Sequence, residues 1–541
     1  MESKAPWKQT VGLLALILFA RIIFKWYSQR AFFRRMAKEY NLPCLPNHSW
    51  IFGDLITIGK TMAKYPPDIQ GQQLPYFLMK DYPEIVDTGV IYLDVWPTAW
   101  PFCAVWHPDL AAQFTQEHPR PKHEFMRRQF RPFTGLKDLS LSEGAVWKKW
   151  RAAFNPGFAM SNIVALVPAF VQEALVWRKY LEQVAQDGET VRLEQSTMKV
   201  TCDIIVRAVL GVSIGVQTGK DTKVYPMLKK SIAQLVTDWS PASLPKLLNP
   251  LRPFTLQTSN KILSDALRDH IYDQFRNHER TEGPKTINSL AIRSYLKEKG
   301  GAYDPDSKLD PDFLSHAVEN LRMFLFAGHD TTATTLCYCY YYLHRHPKAL
   351  EKLLAEHEAV FPSSDVAVIA QEITSKPQLL NQIPYTTAVI KECLRLEPPV
   401  SAVRSGGPDF FLTHPVTKQR LPSEGFMLWA VSKAIQRHPT YWTDPDDFVP
   451  ERWLGGEIRK NTWRPFELGP RGCIGQELAL TELRMLLAMT VRDLEIIPDF
   501  DEKDPYVLGT QAYQAAVSGE LTSHPKDGMP VKVKLRQKVA G

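Results

Sequence analysis

The 541-residue chain carries 65 Lys and Arg against 58 Asp and Glu, a net charge of +7, with 44% hydrophobic and 23% charged residues. These fractions lie near globular averages and exclude disordered, collagen-like and polytopic membrane chains. Its 41 prolines and 28 glycines stand above and below their usual shares of about 5% and 7%, which points to many stiff connections within one large body.

Residues 1–9 read as a short tail. The run from Val11 to Ala20 is unbroken and apolar, Arg21 interrupts it, and Ile22, Ile23 and Phe24 resume it, so 10–27 predicts a single-pass membrane anchor. As a helix at about 1.5 Å per residue it measures roughly 27 Å, just short of a hydrocarbon core of ~30 Å. Arg21 lies past the middle and can snorkel outward, and Trp26 and Tyr27 stand where interfacial aromatics belong. No A-x-A-like site follows Ala20, which argues against a cleaved signal peptide. The basic residues Lys25, Arg30, Arg34, Arg35 and Lys38 outweigh Lys4 and Lys8, which puts the body in the cytosol. A shallow interfacial helix is the remaining alternative. Residues 28–46, basic and Pro-punctuated, predict a linker, and 47–541 the catalytic body.

Further along, 90–95 and 102–106 predict two short strands around a Pro-bearing turn. Residues 140–400 carry mostly helix-period patterns, 409–432 a small sheet, 476–494 a last helix, and the rest irregular sequence. The segregation of helices from strands predicts a mainly α body of α+β class. Its longest helix starts with Asp310 as N-cap and Pro311 in the first turn, and runs to His346, where Pro347 stops it. In its middle, Ala327-Gly328-His329-Asp330-Thr331-Thr332 combines poor helix formers with an acid among apolar neighbours. A functional distortion of the helix is expected there.

Of the seven cysteines, at 44, 103, 202, 337, 339, 393 and 473, none forms a CxxC pair or a Cys/His cluster with zinc spacing. Most read as reduced, buried thiols. Cys473 differs, because it lies in Phe466-Glu467-Leu468-Gly469-Pro470-Arg471-Gly472-Cys473-Ile474-Gly475, a tight loop leading into a helix. At a helix N-terminus, free N–H groups and the helix dipole favour its thiolate. A lone thiolate in a Gly-walled pocket suits an axial ligand to a flat macrocycle. Gly469 and Gly475 would let such a cofactor approach the backbone, and Arg471 offers a cation to its acidic groups.

This F-x-x-G-x-R-x-C-x-G pattern resembles the heme loop of the cytochrome P450 superfamily. Four further motifs stand in that family's order: W-x-x-x-R at Trp147 and Arg151, the oxygen-binding helix motif at 327–332, E-x-x-R at Glu392 and Arg395, and Pro-Glu-Arg at 450–452. The likeness covers everything after the anchor and is similar in style to membrane-anchored fungal enzymes of secondary metabolism. It implies the cytochrome P450 fold and heme b ligated by Cys473. Around the heme it implies Phe466, Gly469, Arg471, Gly475, Trp147, Arg151, Arg404, Ala327 and Gly328, with Trp147 and the arginines reaching its propionates. It implies that Glu392, Arg395 and Arg452 form a buried structural triad. It also implies that Asp330 and Thr331 are the acid–alcohol pair that delivers protons as dioxygen is activated.

Blander local readings stand beside these. Glu392 and Arg395 at i, i+3 are a solvated pair, Arg404 is a surface arginine beside two glycines, and Thr331 bonds back to a preceding carbonyl. His329 receives no role. Between 120 and 151 nine Lys and Arg (120, 122, 127, 128, 131, 137, 148, 149, 151) stand against Glu124, Asp138 and Glu143. No nucleic-acid motif accompanies them. The resemblance implies instead a face that docks an acidic reductase, with Lys148 and Lys149 as docking residues.

The chain has no nucleotide fingerprint, so both electrons must come from a partner: an NADPH–cytochrome reductase, with cytochrome b5 as a second donor. The implied enzyme sits in the endoplasmic reticulum membrane, facing the cytosol, and uses O2 to hydroxylate or epoxidise a lipophilic small molecule. The implied pocket walls are 118–140, Phe324 and Ala327, 400–405 and 511–517. A same-fold enzyme of rearrangement or dehydration that needs no reductase, and a non-catalytic heme-binding protein, are the rivals. The retained Asp330-Thr331 pair argues against both.

Overall fold

The computed structural model describes residues 6–235, 244–277, 284–300, 303–516 and 522–536. Its first element is a single helix, Pro6–Glu39, whose apolar stretch is exposed and long enough to cross a membrane. The helix does not stop at residue 27. It runs through most of the segment expected as a linker, because 28–39 contains no Gly or Pro and supplies an inward face at helical spacing. Arg30, Phe33 and Met36 on that face are buried. Arg30 forms a fully buried ion pair with Asp94 and donates to the carbonyls of Ile51 (3.2 Å) and Trp96 (2.6 Å). The Phe33 ring stacks on His48, centroids 4.9 Å apart. Residues 40–46 make the actual connection to the body.

Strands Val90–Leu93 and Phe102–Val105 pair antiparallel where strands were expected. Phe102–Val105 then pairs parallel with Met427–Ala430, which pairs antiparallel with Ala402–Ser405. The first three strands are buried throughout and read as continuous apolar runs. This sheet and the inward face of the N-terminal helix share one apolar core, and a larger core surrounds the long helix. Within 409–432 a separate hairpin, Phe411–Thr413 with Arg420–Pro422, also forms.

The long helix spans Pro311–Arg345, capped by the Asp310 carboxylate, which accepts from the N–H groups of Asp312 (2.8 Å) and Phe313 (3.4 Å). The distortion expected at 327–332 does not break the helix, which continues through that stretch. Gly328 serves helix packing instead: a Cβ on it would lie 2.7 Å from Ile205 Cγ1 on the helix Leu193–Leu210. The absent side chain lets the two helices cross closely.

The last helix, Gln476–Ala488, ends six residues before the expected 494. The stretch expected to be irregular contributes Leu494–Pro498 and Pro530–Leu535, which join Val191–Arg192 in a three-stranded antiparallel sheet. Val531-Lys532-Val533-Lys534-Leu535 alternates with the period of a half-buried strand, a signal hidden among prolines.

Candidate active site

The loop 466–475 closes on itself, with the Cys473 N–H donating to the Phe466 carbonyl (2.8 Å) and the Gly472 N–H to the Gly469 carbonyl (2.9 Å). Gly469 has φ of +88° and a Cβ there would lie 2.4 Å from the Thr115 carbonyl oxygen, so its glycine is a backbone requirement of the loop. At Gly475 a Cβ would meet only Cys473 Sγ and Phe158, both at 3.9 Å. Gly475, not Gly469, is therefore where a missing side chain leaves room beside the sulfur.

Cys473 is exposed, whereas the other six cysteines are buried or half-buried. Its sulfur faces a cleft enclosing about 1310 Å³, open mouth included. Enclosure by protein atoms pushes the thiol above its ordinary value, and the Gly475 N–H and the Arg151 guanidinium oppose that rise.

The walls are mostly apolar. From 118–140, which contains the helix Glu124–Thr134, come Lys122 and Met126. The long helix gives Phe324, Ala327, Gly328 and Thr331, and residues 400–404 close one side. Phe158 and Ile205 also line the cleft and carried no sequence motif. The expected wall from 511–517 is not among the lining residues described. Tyr513 instead donates to Asp68 (2.7 Å) and Gln514 to the Pro398 carbonyl (3.0 Å), while Val517 lies outside the described residues.

Arg404 is 1% exposed and projects into the cleft, so it is no surface arginine. Its Nη1 donates to the Val403 carbonyl (2.9 Å), while Nε and Nη2 are buried without a partner. Beside it, burial and the Arg404 and Arg471 charges push the Lys122 amine well below its usual value. Orphaned buried donors cost about 1–3 kcal/mol each, and an acidic guest would satisfy them. Arg471 lines the cleft but pairs with Glu143, donates to the Ser142 carbonyl (2.9 Å) and lies 4.2 Å over the Trp147 ring. Arg151 donates to the Gly472 carbonyl at 3.1 Å. Neither Arg151 nor Trp147 is among the lining residues.

Behind the loop, Glu392 and Arg395 are fully buried and paired at 2.8 Å, and Arg452 Nε donates to Glu392 at 3.0 Å. The Val449 N–H and the Trp453 indole also donate to Glu392, each at 3.0 Å. Arg395 donates to the Gln436 carbonyl (2.8 Å), and Gln436 Oε1 accepts the Arg464 N–H (2.8 Å), two residues before Phe466. The triad is thereby tied to the cysteine loop.

Asp330 and Thr331 face different surroundings. Thr331 lines the cleft and donates to the Ala327 carbonyl (2.9 Å), the back-bonding arrangement. Asp330, 3% exposed, does not line it and accepts from the Thr522 hydroxyl on the C-terminal side of the fold. His329 is buried, with Nδ1 2.7 Å from the Leu325 carbonyl. Lys148 and Lys149 are exposed on the helix Gly144–Phe154, Lys149 paired with Glu298 at 2.7 Å. Arg120 turns onto the Ser405 and Gly406 carbonyls, at 3.4 and 3.3 Å, and Lys122 into the cleft, so the basic face is smaller than composition implied.

An apolar cleft with one exposed thiol and orphaned guanidinium donors on one wall fits a flat, carboxylate-bearing metal macrocycle. The family model of cytochrome P450 matches residues 92–519. The chain belongs to the cytochrome P450 family. Among its relatives, the cytochrome P450 monooxygenase polC of Polytolypa hystricis is 35% identical over 97% of this chain and 95% of its own. The monooxygenase acrF of Aspergillus aculeatus is 30% identical over 88% and 99%. The crystal structure of the cytochrome P450DA heme domain has a TM-score of 0.69 at 20% identity, covering 92% of this chain and 97% of that one, and shows the same fold. This P450 is a monooxygenase, with heme b as cofactor, O2 as cosubstrate and electrons from a reductase.

Proposed function

We propose that this P450 is a single-pass protein of the endoplasmic reticulum, its body in the cytosol, that hydroxylates or epoxidises a lipophilic small molecule in fungal secondary metabolism. NADPH–cytochrome reductase and cytochrome b5 are the proposed electron donors, docking at Lys148 and Lys149. The observation that carries the reading is the Cys473 sulfur at the floor of an apolar cleft whose wall holds the unpartnered donors of Arg404. Bound heme b supplies the activation of dioxygen. Cys473 would hold its iron through the sulfur, Phe466, Gly475, Ala327 and Gly328 would border the macrocycle, and Arg404 with Lys122 would take its carboxylates. Arg151 and Trp147 brace the loop, Arg151 through the Gly472 carbonyl and Trp147 under the Arg471 guanidinium, and Glu392, Arg395 and Arg452 fix it to the body.

Asp330 holds protons and Thr331 passes them to the cleft, where a hydroxyl that exchanges its helix bond for a water can donate. The apolar walls exclude bulk water and favour a lipophilic guest. Exposed Ile51, Phe52 and Ile56 lie near the N-terminal helix, where the Trp26 indole donates to the Ile51 carbonyl (2.7 Å), and support a membrane seat around residues 10–27. The test is the carbon monoxide difference spectrum of the reduced, purified protein, followed by turnover with reductase and NADPH. The thiolate-type spectrum is expected, and Cys473→Ser should abolish it together with product. A serine variant with the same spectrum and product yield would overturn the reading.

A further inference from the structure

Four polar side chains form an unbroken buried line from the rim of the body to the middle of the long helix. Glu194, in the first turn of Leu193–Leu210, places Oε1 2.8 Å from His524 Nδ1. His524 Nε2 lies 3.0 Å from the Thr522 hydroxyl, and that hydroxyl donates to Asp330 Oδ2. His524 is 0% exposed, Thr522 5% and Asp330 3%, while the Glu194 side chain retains 11% exposure and forms the outer end. None of the motifs read from the sequence includes Thr522, His524 or Glu194.

Burying two carboxylates and an imidazole to tie a strand to a helix costs more than an apolar contact that does the same. What the costly set adds is chemistry. Carboxylate, imidazole, hydroxyl and carboxylate can each accept a proton on one side and release one on the other. Such an exception to burial rules marks a functional position more often than a structural one.

We propose that Glu194, His524 and Thr522 are a proton relay that recharges Asp330. The inference rests on the monooxygenase function proposed above and extends it to residues outside the cleft. In each passage His524 takes a proton on Nδ1 from the Glu194 side and releases one from Nε2 to Thr522 Oγ. The Thr522 hydroxyl proton moves to Asp330, and Asp330 hands it toward Thr331. One proton enters at Glu194, one leaves at Asp330, and no electron moves along the line. The electrons come from NADPH through the reductase. Dioxygen takes up two of them with two protons to give peroxide, or four of each to give water. These residues act through Asp330 and are relay positions, not catalytic ones.

The test compares wild type with Thr522→Val, which keeps the shape and lacks the hydroxyl, Thr522→Ser, which restores it, and His524→Gln, which bonds at both ends but cannot shuttle a proton. With reductase, NADPH and no organic substrate, water formation consumes two NADPH per O2 and peroxide formation one. T522V and H524Q should raise the peroxide share severalfold and alter the solvent deuterium effect on water formation, and T522S should restore both. Hydrogen exchange, read on the protein without turnover, should leave 522–525 and 193–197 as protected as in wild type. An unchanged peroxide share and isotope effect in T522V and H524Q would refute the relay. So would a change that accompanies lost protection and is not restored by serine, since the line is then only a strut. Failure of the monooxygenase reading shows separately, as a wild-type protein without the carbon monoxide spectrum.

Discussion

Replacing Glu392 by Gln removes one charge from the most enclosed ionic site behind the cysteine loop. The Glu392 carboxylate accepts two hydrogen bonds from Arg395, at 2.8 and 2.9 Å, and one each from Arg452, Val449 and Trp453. An amide can accept at only one of its two ends, and it leaves the fully buried Arg395 guanidinium without a counter-charge. Stranding one partner of a buried pair costs about 3–5 kcal/mol. Arg452→Met tests the same site with a different expectation. Arg452 is 13% exposed, and Glu392 keeps Arg395 and both N–H donors, so the loss should be about 1–2 kcal/mol.

Both numbers can be read from urea unfolding of the purified proteins, alongside the heme retained per chain. Because Arg395 reaches the loop through Gln436 and Arg464, E392Q should also lower heme retention more than R452M does. Equal losses in the two variants, or an E392Q protein within about 1 kcal/mol of wild type, would refute the reasoning that burial sets the cost.

Two other outcomes are expected. Arg404→Met removes two orphaned buried donors, so the heme-free protein should gain about 1–3 kcal/mol for each, less about 1 kcal/mol for the lost bond to the Val403 carbonyl, while heme affinity falls; spectral titration with hemin and thermal unfolding give the two signs. Burial, reinforced by the Arg492 charge, lowers His357 to about 3, so the unfolded chain binds its proton first as the solution is acidified. That contribution is complete above about pH 6.5 and is lost toward pH 3, at about 1.4 kcal/mol per pH unit. His357→Gln, which can keep the 2.7 Å bond to Thr386, should flatten the stability–pH slope in that window by one proton.

Features that depend on one segment were legible in the sequence. Asp310-Pro311 announced the long helix, and the spacing of glycines around Cys473 announced a loop. What depends on two segments was not. Gly328 looked like a helix breaker because its reason, Ile205, lies on a different helix. Arg404 could be read equally as a heme residue or as a surface arginine, because nothing nearby in sequence says that 400–404 folds over Cys473. Asp330 and Thr331, adjacent in sequence, diverge by about 100° around the helix, so one faces the cleft and the other faces Thr522. The basic residues of 120–151 were countable, but their directions were not, and three of the nine, Arg120, Lys122 and Arg151, turn inward.

The unbroken N-terminal helix has a mechanical consequence. With its apolar stretch in the bilayer, as proposed, and Arg30, Phe33 and Met36 locked into the body, no hinge lies between lipid and the Arg30–Asp94 pair. The helix then behaves as a mast fixed to a hull. Its tilt in the bilayer becomes the tilt of the whole protein, and the height of the body above the lipid is set by helical rise and not by the slack of a tether.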